Sequence, residues 1–173
     1  MNGTQPKLWD GGAFRKNIWQ KREEALAPAD DEHVILPLAA YLELKENTRE
    51  GATEQIGVEL QPGEALDLLL PHLERLPLVA LSFPAFADGR SYSKAELLRT
   101  RHGYRGEIRA TGDVLIDQVA HMFRVGFSTL EIVNPFTISQ LEAGKEAGIP
   151  LYYQPAAKAA AAPASYAWRR ISA

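Results

Sequence analysis

The residues best suited to chemistry fall in two short stretches. Asp88-Gly89-Arg90 sets a carboxylate and a guanidinium across one residue, and Tyr92 follows closely. Asp113 and Asp117, with Gln118 alongside, bring two carboxylates and an amide close together in the chain. Either aspartate could serve as a general acid or base. Arg90 has the planar donor fork that holds an anionic substrate. Arg109 and Asn134 add a second cation and a second amide. The expected site therefore takes Asp113 and Asp117 as its catalytic pair. Asp88, Arg90, Tyr92, Arg109, Gln118 and Asn134 are its binding residues.

Each of these has a structural reading beside the chemical one. Asp-Gly is a common turn. Asp113 is a favoured N-cap residue for a helix starting at Val114. A charge inside a strand needs a partner, and for Arg109 the same-face candidates are Glu131 and Glu59. Tyr92 could pack on the core as readily as stack on a ligand.

The elements that must position these residues follow a rhythm. Apolar runs at 34–38, 56–60, 78–83, 107–111, 129–133 and 149–153 alternate with helical patterns. Strands alternating with helices make a mainly parallel sheet of βα units. Ligands in such folds gather at the carboxyl ends of the strands. That edge carries Asp88, Arg90, Asp113 and Asn134, with Gln61 beside them. Glu59, Ser82, Arg109 and Glu131 share one parity along their strands, and their neighbours are apolar. One sheet face is thus charged and the other carries helices. A doubly wound sheet is apolar on both faces, so the pattern predicts a partial barrel, or an open sheet with charged strand ends.

Further expectations concern boundaries. Asp10-Gly11-Gly12 predicts an N-terminal β-hairpin, followed by a polar linker from Gln20 to Glu32. Pro62-Gly-Glu-Ala predicts a helix start. Ser93 with Glu96, and Ser139 with Glu142, read as capping boxes. Residues 1–154 form one α/β domain in this reading, with 1–32 as hairpin and linker. The Ala-rich stretch 155–173 is a flexible tail.

Composition excludes several classes. Lys plus Arg is 19 and Asp plus Glu is 22, for a net charge of −3, which suits nucleic-acid binding poorly. There is no cysteine, hence no thiolate nucleophile, disulfide or Cys-ligated cluster. His33, His72, His102 and His121 are not spaced as a metal pair, so no metal is expected. Dinucleotide, P-loop and nucleophile-elbow motifs are missing, and the cofactor stays unknown. No stretch suits a membrane span or a signal peptide, which makes the cytoplasm the expected location. Residues 88–109 hold six basic residues, Arg90, Lys94, Arg99, Arg101, Arg105 and Arg109, against Asp88, Glu96 and Glu107. Such a local excess beside helix N-termini predicts a basic rim able to take a small anion.

The runs Phe83–Arg99 and Gly103–Gln118, with Gly57–Pro62, Asp10-Gly11, Trp19 and Gly126-Phe127, resemble the bacterial family known as domain of unknown function 934. The resemblance covers most of residues 8–133. It implies a place near assimilatory sulfite and nitrite reduction, because genes of that family commonly lie beside those for these pathways. Many members carry Cys at the position of Val125, so an obligatory redox role for that residue does not extend to this chain. The leading expectation is an accessory protein that binds sulfite reductase or its electron donor, or handles an anion, without redox chemistry of its own. A small-molecule enzyme working at the strand ends is the second reading. A homo-oligomeric scaffold using the charged sheet face is the third.

Overall fold

The computed structural model describes residues 5–85 and 88–145. The expected strand at 149–153 and the Ala-rich tail lie outside the described residues.

Eight strands form one sheet: β1 (Lys7–Trp9), β2 (Phe14–Arg15), β3 (Trp19–Lys21), β4 (His33–Pro37), β5 (Ile56–Leu60), β6 (Leu78–Phe83), β7 (Glu107–Gly112) and β8 (Thr129–Ile132). The order is β2-β1-β8-β7-β6-β5-β4-β3. From β3 to β8 every pairing is parallel, while β1 pairs antiparallel with both β8 and β2. Helices α1 (Leu38–Glu43), α2 (Glu46–Gly51), α3 (Arg90–Thr100), α4 (Ile116–Val125) and α5 (Pro135–Glu142) complete the fold.

The sheet is curled into a partial barrel, and the chain length between its edges requires it. Eight flat strands at about 4.8 Å spacing would set β2 and β3 roughly 34 Å apart. Only residues 16–18 join them, and so short a link spans at most about 14 Å. Side chains agree. Lys21 Nζ on β3 lies 2.8 Å from Glu59 Oε1 on β5 and 3.6 Å from Glu131 Oε1 on β8. On a flat sheet β3 and β8 could not share one ammonium.

The strand parity explains the layers. Val34, Val58, Leu81, Ile108 and Leu130 face outward into one core with Tyr41, Leu98, Val119, Met122 and Ile138 from the helices. Ile35, Leu78 and Ala80 face inward in a small second cluster with Trp19 packed against it. The charged residues share this inner face.

Several boundaries differ from expectation. Gln20 and Lys21, expected as the start of the linker, belong to strand β3, because parallel pairing with β4 satisfies their backbone, with Lys21 opposite Ile35. The hairpin forms as expected, its turn tied by Asp10 Oδ1 accepting from the Gly12 and Ala13 amides at 3.0 and 2.8 Å. After Pro62 there are only 3₁₀ turns, at 66–68 and 70–75. Ser93 and Ser139 lie inside α3 and α5 and cap neither. Helix α4 stops at Gly126, in the left-handed region at φ 116°. Among the described residues no helix is long and apolar enough to cross a membrane.

Candidate functional site

Parallel strands bring the loops after β6, β7 and β8 to one edge, where most of the expected site residues meet. Asp88 and Arg90 bind each other. Arg90 Nε and Nη2 donate to the two carboxylate oxygens at 2.9 and 2.7 Å, and the Arg90 amide reaches the same carboxylate. The guanidinium, foremost, holds the Asp88 carboxyl down to about 2. One turn on, Lys94 Nζ donates to the carbonyls of Gln61 and Pro62 at 2.7 and 3.0 Å, tying α3 to the end of β5.

Tyr92 packs into the core margin. Its ring meets Phe83 edge-on with centroids 5.0 Å apart and lies 4.8 Å from the His121 ring. Burial first, then the negative charge of Asp117, pushes its phenol up to about 12. Burial also depresses the His121 imidazole, reinforced by Arg124, whose Nη2 lies 2.7 Å from His121 Nδ1.

After β7 the Asp113 amide donates to the Phe83 carbonyl at 2.7 Å. Its half-buried carboxylate has no hydrogen bond or ion pair with the described residues. Asp113 does not cap the next helix. That helix starts later, at Ile116, with Leu115 in the cap position. Gln118 does the closing work instead, its Oε1 accepting from the Leu115 amide at 3.0 Å. Asp117 sits exposed in the first turn of α4, where the helix dipole favours a carboxylate. Asn134 caps α5: its Oδ1 accepts from the Thr137 amide at 3.0 Å, and Pro135 follows at the first helical position.

Arg109 lies elsewhere, inside the curl, with 1% of its side chain exposed. Nε donates to Glu107 Oε1 at 2.9 Å, Nη2 lies 2.8 Å from the same oxygen, and Nη1 donates to Asn17 Oδ1 at 2.9 Å. Glu131 is a more distant partner at 3.9 Å. Glu59 is not a partner: it accepts from Lys21 and from Thr111 Oγ1 at 2.8 and 2.6 Å. Residues two apart on a strand share a face, so the Glu107–Arg109 pairing was available to sequence reasoning. The roles of Lys21 and Asn17 were not, because only the curl brings β3 round.

The expected basic rim is divided. Helix α3 runs back along the strands, so its last turn lies at their amino ends, far from Arg90. There Arg99 is a staple. It donates to the carbonyls of Gly126, Tyr104 and Gly106 at 2.8, 2.6 and 2.9 Å and to Ser128 Oγ at 2.7 Å. Burial lowers its pKa, a cost these acceptors offset. Arg101 and Arg105 are exposed at that same end. Arg105 borders a cleft of about 320 Å³ that sequence reasoning missed.

Among the described residues no group of three or more His, Cys, Asp or Glu could hold a metal ion. The strand-end edge offers the Asp88–Arg90 ion pair, the carboxylates of Asp113 and Asp117 with no hydrogen bond or ion pair among the described residues, and amides already used as caps.

Residues 57–164, more than half of the chain, match the model of a family described as "Bacterial protein of unknown function (DUF934)". No match was found among curated proteins or among solved structures.

Proposed function

We propose, from the premise that this chain belongs to the bacterial DUF934 family, that it is an accessory protein of assimilatory sulfite reduction. It acts by binding the reductase, its electron donor or an anion, and not through redox groups of its own. The placement of Arg109 carries this reading. The charged sheet face is filled by the chain's own ion pairs around that residue, which leaves it no room for a substrate. The sequence supplies no cysteine for thiol chemistry. Both observations favour recognition at the outer surface. The pathway comes from the family resemblance, in which these genes neighbour those of sulfite and nitrite reduction.

A clean deletion strain tests it. Growth should fail on sulfate and sulfite and be rescued by sulfide or cysteine, and the tagged protein should copurify with the reductase. Equal growth on all sources, with no copurification, contradicts it.

One observation favours a second reading, a small-molecule enzyme. The half-buried carboxylate of Asp113 stands unbonded among the described residues at a strand end, as a general acid or base would. Arg90 would hold an anionic substrate after exchanging Asp88 for it. Asp113→Asn should then abolish function with an unchanged melting temperature; full function in that variant rules this reading out. An oligomeric scaffold has less support, since the curl turns the charged face inward.

A further inference from the structure

Within the basic run 88–109, the uncommitted cations gather at the loop at the amino end of β7. Within 88–109, Arg90 is bound by Asp88, Lys94 by two carbonyls, Arg99 by three, and Arg109 by Glu107 and Asn17. The side chains of Arg101, His102 and Arg105 are exposed and have no hydrogen bond or ion pair among the described residues, although the Arg101 and His102 amides donate to the Leu97 carbonyl. Two of them, His102 and Arg105, line the cleft of about 320 Å³, together with Gly103, Gly106 and Tyr104. That volume is at the small end of ligand clefts.

The loop is held rigid from behind. The Tyr104 amide donates to the Leu98 carbonyl at 2.9 Å, and the Tyr104 hydroxyl donates to the Leu76 carbonyl at 2.9 Å. Arg99 draws the carbonyls of Tyr104 and Gly106 to one side. The carbonyl and N–H of one trans peptide point opposite ways. The Arg105 N–H therefore faces away from Arg99, and it has no acceptor among the described residues. Gly106 leaves no room for change: a Cβ there would lie 2.2 Å from the Tyr104 hydroxyl. A fixed backbone, an outward N–H and two uncommitted basic side chains around one cleft form a preorganised set of donors.

The geometry points to an oxyanion-binding site at residues 102–106, taking the carboxylate, sulfo or phosphoryl group of a small ligand. Arg105 supplies the planar fork, its own N–H a further donor, and His102 the second side chain. Glu74, with Leu73 and Leu76, lines the rest of the cleft. That carboxylate disfavours a bare polyanion filling the space. It favours a ligand with one anionic group at the loop and an apolar or cationic body. The site lies at the strand end opposite Asp88 and Asp113, and it stands whether or not the sulfite-reduction reading does.

The test is amide NMR on the full chain, titrated separately with sodium sulfate, sodium phosphate and sodium acetate. Each is compared with sodium chloride at matched ionic strength. At least one oxyanion should give saturable shifts at Gly103, Arg105 and Gly106. Arg105→Ala should weaken that response about tenfold or more, the worth of one charge-assisted hydrogen bond. Lys7→Met, which removes a distant surface charge, should leave it unchanged. Arg105→Lys should fall between, since it keeps the charge and loses the fork. Shifts that never saturate, that match chloride, or that survive Arg105→Ala overturn the assignment.

Discussion

Arg109 and Arg105 lie four positions apart in the chain, yet they belong to opposite kinds of environment. Arg109 is inside the curl, bonded to a carboxylate and an amide and shielded from solvent. Arg105 stands on the surface of a braced loop with no partner among the described residues. The difference shows that a count of cations along a segment says little about binding. The number left unmatched after the fold has satisfied its own acceptors is the quantity that matters. By that measure the basic run 88–109 is mostly structural, and its surplus sits at 101–105.

The comparison can be broken at its structural end first. Arg109→Met should destabilise the protein by about 3–5 kcal/mol in urea unfolding, because it leaves Glu107 in a confined space without its cation and takes one of two from Glu131, which keeps Lys21. A loss under about 1 kcal/mol would mean that the inner face is wetter than its geometry indicates. Arg99→Ala comes next, at roughly 2–4 kcal/mol, since it frees three carbonyls and a hydroxyl at once. A neutral result would remove the brace from the loop.

Asp88 gives a smaller, pH-dependent signal. Its carboxyl is held near 2 in the folded state, below the value of about 3.9 expected when unfolded. A depressed folded pKa stabilises above the unfolded value and is lost as pH falls through the folded one. The melting temperature of Asp88→Asn should therefore lie slightly below that of the parent at neutral pH. The gap should close between about pH 4 and pH 2. A gap that does not change with pH contradicts the pairing with Arg90. The smallest effect belongs to Arg105→Ala, whose stability should stay within about 0.5 kcal/mol of the parent, which is what makes it a clean binding variant.

Much of the fold was legible because it rests on short-range pattern. The runs 34–38, 56–60, 78–83, 107–111 and 129–133 became β4 to β8 with boundary shifts of at most one residue. The shared parity of Glu59, Arg109 and Glu131 gave the inner face. Caps were read less well. The Ser-x-x-Glu pattern at Ser93 and Ser139 occurs within helices whose starts are fixed a turn earlier, at Gly89 and Asn134. Asp113 was displaced from capping because its amide continues the strand to Phe83. Partner choice inside the curl was beyond local pattern. Lys21 meets Glu131 only because the two sheet edges come together, and no spacing in the sequence encodes that closure. The cleft at 102–106 was hidden for a related reason: the pattern does not reveal that Arg99 turns inward while Arg105 stays out.

The most direct test of this division is solvent exchange at the arginine Nε–H groups, measured by NMR on the full chain. The Nε–H groups of Arg109 and Arg99, which donate to Glu107 and to the Gly126 carbonyl, should give sharp, slowly exchanging signals, while those of Arg101 and Arg105 should exchange fast. An Arg109 Nε–H that exchanges as quickly as that of Arg105 would contradict the account.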